Sequence, residues 1–250
     1  MTALLRTIGL RKAFGGLQVT AGVDLDLRDG EIHALIGPNG AGKTTLINQL
    51  AGEIAPDGGR IEFLGRDITR RPAHARARLG LARSFQRTSL LPAMTVMDNA
   101  LAAALANHGR PWGVFRAARR DAVLRAAAQA ALELTGLADA AARPVAQLAH
   151  GQRKQLDLAL ALIGQPKVLL LDEPTAGLSP AEGREMVALL ENLKGRWPML
   201  LVEHDMDAVF ALADTLSVLV AGRIVATGAP QDVRADARAQ AAYFGDEINA

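Results

Sequence analysis

The sequence predicts an α/β fold in which helices cover a parallel sheet. Short, mainly apolar runs at 32–36, 168–171 and 199–203 alternate with helical patterns, and this order is typical of parallel sheets. A β-rich segment precedes the first run, and an alanine-rich helical segment interrupts the alternation between about 94 and 137. A turn with three glycines joins the first run to a helical pattern. The chain therefore combines a β-rich start, an alternating core and a helical insert.

The pattern predicts each element in order along the chain. In the first part, we expect strands at 4–10, 19–27 and 32–36, a helix at 44–50, a loop at 51–60 and a strand with a turn from 61. The insert is expected to be helical with a break at 108–113. In the last part, we expect helices at 149–162, 182–194 and 206–213, strands at 168–171 and 199–203, a hairpin formed by 216–220 and 224–227, and a polar helical tail from 231.

The composition fits one sizeable core and argues against several classes of protein. Half of the 250 residues are apolar, which is enough for one domain or for one domain with a smaller lobe. Without cysteine, the chain has no disulfide framework and no thiolate metal site, and it fits a reducing compartment. A formal charge of +2 is too small to indicate a nucleic-acid partner by itself, and an aromatic content of 4% argues against a stacking platform for bases.

Nothing in the sequence predicts insertion into a membrane. The longest apolar runs, such as 168–171 and 216–221, are far shorter than the roughly 20 residues that a spanning helix needs. Residues 1–14 lack the apolar stretch and the small-residue cleavage site of a secretion signal. We therefore expect a soluble, cytosolic chain that can still dock on a membrane protein.

The glycine-rich turn matches the phosphate-binding pattern G-x-x-x-x-G-K-[ST]. Its glycines let successive backbone N–H groups point at one phosphate chain, and the helix that follows adds its positive N-terminus. Lys43 would reach the β- and γ-phosphates, and the Thr44 hydroxyl would ligate Mg²⁺. The motif alone leaves ATPases, GTPases and small-molecule kinases open, although 192–195 does not match the guanine-specific Asn-Lys-x-Asp. The predicted nucleotide contacts are Gly37, Pro38, Asn39, Gly40, Ala41, Gly42, Lys43, Thr44 and Thr45.

A second motif places two acids at the end of a buried strand. The apolar run 168–171 closes in Asp172 and Glu173, at the sheet edge where ligands collect. Asp172 would hold Mg²⁺. Glu173 would face the other side of the pleat and meet the attacking water. The alternative is an ordinary surface turn after a strand.

A third motif carries the resemblance to a family. Residues 148–152 (Leu148, Ala149, His150, Gly151 and Gln152) precede a helix and resemble the Leu-Ser-Gly-Gly-Gln signature of ABC ATPases, and the resemblance covers essentially the full chain. It implies a P-loop NTPase core of the ABC ATPase type with an antiparallel β subdomain and an α-helical insert subdomain. The implied single domain is 1–250, with the RecA-like core and β subdomain at 1–86 and 163–250 and the helical subdomain at 87–162.

The resemblance also implies a dimer and further site residues. In the family, the signature of one subunit caps the ATP held by the P-loop of another, so that two ATPs lie in a head-to-tail dimer. Ala149 replaces the signature serine and His150 replaces the first glycine. Phe14 would stack on adenine, with a core phenylalanine as the alternative. The implied catalytic residues are Glu173, His204 and Gln86, the implied metal ligands are Thr44, Gln86 and Asp172, and the implied D-loop is 176–180.

Segments 82–103, 108–120 and 203–214 resemble the branched-chain amino acid importer group, and within it the longer ATPase subunit. This implies ATP and Mg²⁺ as cofactors and a peripheral place on the cytoplasmic face of a bacterial inner membrane. The implied partners are transmembrane permease subunits, a second ATPase subunit (a copy or a paralogue) and, indirectly, a periplasmic solute-binding protein, with no nucleic acid.

Several alternatives stay open. Related groups import urea or short amides, or work in lipopolysaccharide export. Outside transport, the chain could be an ABC ATPase of DNA repair or translation, a regulatory module with little turnover, or a P-loop kinase. Seven arginines between 66 and 87 are expected to form a solvated helix face, or else to face anionic lipid headgroups or the permease.

Overall fold

Two sheets form the frame of the protein. The computed structural model describes residues 3–84, 90–107 and 119–244. The strands are β1 Ala3–Phe14, β2 Leu17–Arg28, β3 Ile32–Ile36, β4 Gly58–Phe63, β5 Arg66–Asp67, β6 Leu81–Arg83, β7 Val168–Asp172, β8 Met199–Val202, β9 Thr215–Val220 and β10 Arg223–Gly228. The larger sheet has the order β10-β9-β3-β8-β7-β6, and the smaller sheet has the order β2-β1-β4-β5.

Helices cover the larger sheet and build the insert. They are α1 Lys43–Ala51, α2 Ala73–Leu79, α3 Val96–Asn107, α4 Ala122–Leu134, α5 His150–Ile163, α6 Pro180–Leu193, α7 Met206–Leu212, α8 Pro230–Ala235 and α9 Ala237–Ala239. Short 3₁₀ turns occupy Ala138–Ala140 and Val145–Gln147, and a π-helical turn occupies Gln240–Phe244. Within the described residues, no helix is long and apolar enough to cross a membrane.

The central strands are buried on both faces, which explains their unbroken apolar runs. The strands β6, β7, β8, β3 and β9 pair in parallel, and β10 returns antiparallel to β9. Leu170 and Leu200 pack toward α1 and the smaller sheet. Leu169 and Leu201 pack on the opposite face, toward α5 and α6. Because successive side chains point to opposite faces of a strand, one strand feeds both cores. The predicted α/β fold is confirmed.

The smaller sheet is antiparallel and longer-stranded than the sequence pattern indicates. β1 and β2 each span 12 residues, beyond the expected 4–10 and 19–27. The expected loop at 51–60 ends early, because β4 begins at Gly58 and pairs with β1. Leu5, Val23 and Ile61 turn their side chains into the core shared with the larger sheet.

The insert has an apolar core of its own. The helices α3, α4 and α5 pack around a buried cluster that includes Ala100, Leu132 and Leu156. Asp121 caps α4 by accepting from the amides of Val123 and Leu124. In its described part, the expected helical pattern from 94 to 137 forms the helices α3 and α4, and the expected break at 108–113 lies outside the described residues. The proposed subdomain boundaries stay a prediction.

The arginine-rich stretch is not a uniform solvated face. Arg76 on α2 is 1% exposed. Its guanidinium donates to the carbonyls of Gln49 and Leu50 at 2.6 and 2.7 Å, and so satisfies oxygens at the end of α1. Burial lowers the pKa of Arg76 to about 10. The expectation of a solvated face is therefore wrong for Arg76 and for Arg83, which is also mostly buried. Arg66, Arg70, Arg71 and Arg78 are exposed, as expected.

Candidate nucleotide site

Three loops meet at one edge of the larger sheet. The glycine-rich turn follows β3, His204 follows β8, and Asp172 and Glu173 close β7. These strands are adjacent and parallel. Their carboxyl ends therefore lie side by side, which is where ligands bind in sheets of this kind. The structure thus brings together three groups of residues that the sequence places far apart.

The glycine-rich turn has a backbone that side chains would disrupt. Gly42 has φ +105°, and a Cβ there would collide with the main-chain oxygen of Val19. A Cβ on Gly37 would collide with the main-chain oxygen of Leu219. The helix α1 begins directly afterwards at Lys43, with no side-chain cap on its first N–H groups. The turn therefore leaves backbone donors available for an anion.

Lys43 folds back over its own turn. Its Nζ donates to the carbonyl oxygens of Gly37 and Pro38, at 2.6 and 3.2 Å. Burial lowers the pKa of Lys43, and the charges of Glu173 and Asp172 oppose that effect. The ammonium is thus held at the centre of the turn by bonds that a phosphate group can replace.

Asp172 is a buried carboxylate with one free oxygen. Its Oδ2 accepts from Nη2 of Arg83 at 3.0 Å, whereas its Oδ1 has no hydrogen-bond partner among the described residues. Burial raises the pKa of Asp172, and the charge of Arg83 opposes the increase. An unpartnered buried oxygen is costly. The residue therefore fits a cation such as Mg²⁺ as a partner.

A metal at this edge would need ligands beyond the protein's acids. Among the described residues, no group of three or more histidine or acidic side chains could hold a metal ion by itself. The predicted ligand Gln86 lies outside the described residues. Thr44 is exposed at the start of α1, beside the turn. The donor set accordingly fits an ion that keeps phosphate oxygens and waters as further ligands.

Glu173 leaves the strand instead of continuing its pleat. β7 ends at Asp172, and Glu173 has φ +50°, a left-handed conformation that is uncommon for a non-glycine residue. The expectation that it faces the other side of the pleat is wrong, because the strand geometry does not extend to it. Its Oε1 lies 3.9 Å from Nδ1 of His204. The structure thus brings Glu173 and His204 together at the sheet edge.

A buried acid beside His204 was missed by the sequence analysis. Glu203 is 0% exposed, and its carboxylate accepts from the amide and the hydroxyl of Thr175 at 2.8 and 2.7 Å. These two hydrogen bonds connect the end of β8 to the loop after Glu173. The sequence signal that could have identified Glu203 is an acid at the end of an apolar run, directly before the predicted site residue His204.

Arg83 was missed as a site residue for a different reason. Besides Asp172, it donates to Asn48 Oδ1 at 2.6 Å and to Glu53 Oε2 at 2.8 Å. It also lines a groove of about 400 Å³ between the core and the insert, together with Glu53, His74, Asn107, Asp157 and Leu160. The arginine-rich pattern between 66 and 87 does not distinguish this buried arginine from the exposed ones.

The predicted signature lies at the start of α5. Ala149 has the extended backbone of an N-cap residue but no side-chain oxygen, and its amide donates to Oε1 of Gln152 at 3.2 Å. The Gly151 amide donates to Oε1 of Glu182 at 3.0 Å. Leu148 is buried and His150 is exposed, with its Nε2 near Gly177 in the predicted D-loop.

Glu182 joins the predicted signature to the predicted D-loop. Its Oε2 accepts from the amide and the hydroxyl of Ser179, at 3.0 and 2.8 Å, and so forms a capping box at the start of α6. The hydrogen bonds from Ser179 hold the pKa of Glu182 below its usual value. Because this cap starts α6 at Pro180, the helix begins two residues before the expected Glu182.

Phe14 is on the surface and not in the core. Its side chain is 49% exposed at the end of β1, with Nζ of Lys12 lying 5.5 Å from the ring centroid. The alternative of a core phenylalanine is wrong. An exposed ring remains available for stacking.

The comparisons with known proteins agree with this geometry. A family model described as ABC transporter matches residues 20–176. The chain is 39% identical to a high-affinity branched-chain amino acid transport ATP-binding protein of Salmonella typhimurium, over 97% of this chain and 98% of the relative. It is 36% identical to the corresponding protein of Pseudomonas aeruginosa, over 97% of this chain and 98% of the relative.

Solved structures of ATP-binding cassettes from ABC transporters also resemble this chain over nearly its full length. An ATP-binding cassette of an ABC transporter in its ADP conformation superposes with a TM-score of 0.86 at 30% identity, over 98% of this chain and 100% of that one. A nucleotide-free cassette superposes with a TM-score of 0.85 at 28% identity, over 97% of this chain and 99% of that one. The chain belongs to the ABC transporter family, and within that family it is an ATP-binding subunit with ATPase activity.

Proposed function

We propose that this chain hydrolyses ATP to drive an importer for branched-chain amino acids or a related small polar solute. The observation that carries the ATPase mechanism is the meeting of the P-loop, Glu173 and His204 at the ends of three adjacent parallel strands. The importer part rests on the curated relatives, whose names describe branched-chain amino acid transport.

The proposed mechanism relies on positioning and on neutralised charge. Phosphoryl transfer to water needs both more than it needs covalent catalysis. Lys43 would exchange its bonds to the carbonyls of its own turn for phosphate oxygens, and the backbone N–H groups of the turn would hold the phosphate chain. Glu173 would accept a proton from the attacking water, and His204 would contact the γ-phosphate. Phe14 would stack on adenine.

The metal site fits this arrangement. Thr44 and Asp172 would hold Mg²⁺, with Gln86 as a further ligand. The ion, when bound, neutralises charge on the phosphate oxygens. Asp172 contributes because its Oδ1 is buried and has no partner in the described part of the chain.

The signature supports a head-to-tail dimer with a second ATPase subunit, either a copy or a paralogue. The start of α5 would meet the γ-phosphate of the partner's nucleotide through its N–H groups. Ala149 cannot supply the hydroxyl contact, so the backbone donors and Gly151 would carry the interaction.

The groove beside Arg83 is the proposed contact with a permease. It lies between the core and the insert and connects through Arg83 to Asp172. A permease segment there would place the chain on the cytoplasmic face of the inner membrane, and a periplasmic solute-binding protein would deliver the solute from the far side.

The test uses Glu173→Gln in the complex purified from native membranes with ATP. We expect ATP binding to persist and hydrolysis to fall by about 10²–10⁴-fold, because the general base is lost. Two different permeases and a second ATPase should co-purify. Glu191→Gln, an exposed position on α6, is the matched control and should hydrolyse normally.

Each contrary result points to a specific alternative. Normal hydrolysis by Glu173→Gln would remove the assigned base. Co-purification with ribosomes or DNA, and without membrane proteins, would favour an ABC ATPase outside transport. A wild-type complex that binds ATP without turnover would favour the regulatory module.

A further inference from the structure

The conformation of Glu173 is held by bonds to its main chain. The residue has φ +50°, a left-handed conformation that is unfavourable for a residue with a Cβ and persists only with support from its surroundings. Its amide donates to the Val202 oxygen at 2.9 Å, and its carbonyl accepts from the Ala176 amide at 3.2 Å. These bonds lie within the sheet and the following turn.

A lysine from the insert makes a further bond to the same carbonyl. Nζ of Lys154 donates to the main-chain oxygen of Glu173 at 2.8 Å. Lys154 is on α5, two residues after Gln152, and reaches across from the insert to the end of β7. It is therefore a direct connection between the signature helix and the backbone of the proposed base.

Nearby carboxylates partly offset the cost of burying the Lys154 ammonium. Burial lowers the pKa of Lys154, and the charges of Glu203, Asp157, Glu173 and Asp172 oppose that effect. A charged donor makes a stronger hydrogen bond than a neutral one, and a partly buried site screens it less than water does.

We propose that Lys154 is a positioning residue that holds Glu173 in place for the attack of water. This inference rests on the proposed function of Glu173. Residues 148–152 lead into the same helix and would meet the nucleotide of the partner subunit. Through Lys154, the helix that follows the signature supports the backbone of this chain's own base.

The first experiment measures steady-state ATPase activity of the purified complex carrying Lys154→Met. We expect kcat to fall about tenfold with KM within about twofold of wild type, because small misplacement of a reacting group is costly in rate and not in binding. Lys154→Arg keeps a charged donor and should recover most of the loss. Equal losses in the methionine and arginine variants would contradict the role.

A lysine elsewhere provides the matched control. Lys194 follows the far end of α6 and donates to the Leu212 main-chain oxygen at 3.0 Å, as Lys154 does to Glu173. Lys194→Met should leave kcat unchanged. Melting temperatures of all variants separate lost stability from lost positioning, and Lys154→Gln replaces the methionine variant if that protein does not fold.

The decisive test repeats Lys154→Met in the Glu173→Gln background, by single-turnover hydrolysis. Since the role acts through Glu173, we expect no further loss of rate there. The same tenfold loss in both backgrounds would overturn the inference. A wild-type complex without ATPase activity would instead refute the proposed function, so the two failures are distinguishable.

Discussion

The P-loop and the signature segment are built in opposite ways. In the P-loop (residues 37–44), Lys43 donates to the carbonyl oxygen of Gly37, so the bond that holds its ammonium lies within one short segment. The signature segment lacks a capping side chain at Ala149, and its Gly151 amide bonds to Glu182 of another helix. The first half of the site thus holds its lysine by bonds within the turn, whereas the second half is held by a neighbouring helix. Changes to the P-loop should therefore abolish ATP binding. Changes to the signature segment should alter kcat, stability or dimerisation by smaller amounts.

Lys43→Ala should have the largest effect. It removes the cation at the centre of the turn, so we expect ATP binding to weaken by on the order of 100-fold. Titration with a fluorescent ATP analogue measures the change, and thermal melting checks the fold. Lys167→Ala, at an exposed lysine before β7, is the control.

An unchanged affinity in Lys43→Ala would mean that the turn does not bind phosphate. The contrast between a phosphate site held by local bonds and a signature segment held by a neighbouring helix would then fail.

Glu182→Ala should have an intermediate effect, because it cuts the connection between the two helices. It removes the acceptor for the Gly151 and Ser179 amides. We expect a lower melting temperature and a several-fold lower kcat of the complex, with unchanged ATP binding at the P-loop. Glu182→Gln keeps an acceptor oxygen and should recover part of both.

A loss of nucleotide affinity in Glu182→Ala would contradict the division of the site into two halves. Glu191→Ala, which lies on the same helix and is exposed, tests whether any loss is specific.

The sequence predicts the parts of this molecule that depend on local pattern. Parallel order and the strand-end placement of Asp172 and His204 follow from apolar runs that end in polar residues. The site residues that the sequence did not predict, Arg83 and Glu203, take their roles from contacts with residues distant in the chain. Arg83 meets Asp172 from 89 positions away, because β6 is the neighbour of β7 in the sheet. Glu173 departs from the two-residue period because the strand ends one residue earlier.

The sequence shows that Ala149 and His150 replace the family's serine and first glycine, but it does not show which side chains contact the signature segment. Neither the bond from Gly151 to Glu182 nor that from Lys154 to Glu173 has a local pattern, since each joins helices or strands that are distant in the chain. The roles assigned to the site residues stay predictions, and the variants described above test them.

Ala149→Ser should have the smallest effect and the most specific one. Ala149 has φ −61° and ψ 164° and is exposed, so a serine fits the N-cap of α5 without rearrangement. A hydroxyl there would accept from a free N–H group, and we expect the chain to gain about 0.5–1 kcal/mol in unfolding free energy. If the segment also meets a partner's phosphate, ATP-driven dimerisation should tighten as well. Denaturant unfolding and light scattering with ATP measure the two effects.

Ala229→Ser separates these two effects. Ala229 caps α8 with φ −60° and ψ 145°, also without a side-chain bond, and it lies outside the proposed site. The Ala229→Ser variant should gain about as much unfolding free energy as Ala149→Ser, with no change in ATP-driven dimerisation, because it improves only a helix cap. A gain in dimerisation confined to Ala149→Ser would show that the missing hydroxyl limits the contact between subunits. Equal behaviour of the two variants would mean that the start of α5 is an ordinary helix end, and the contrast between the two halves of the site would then reduce to the P-loop alone.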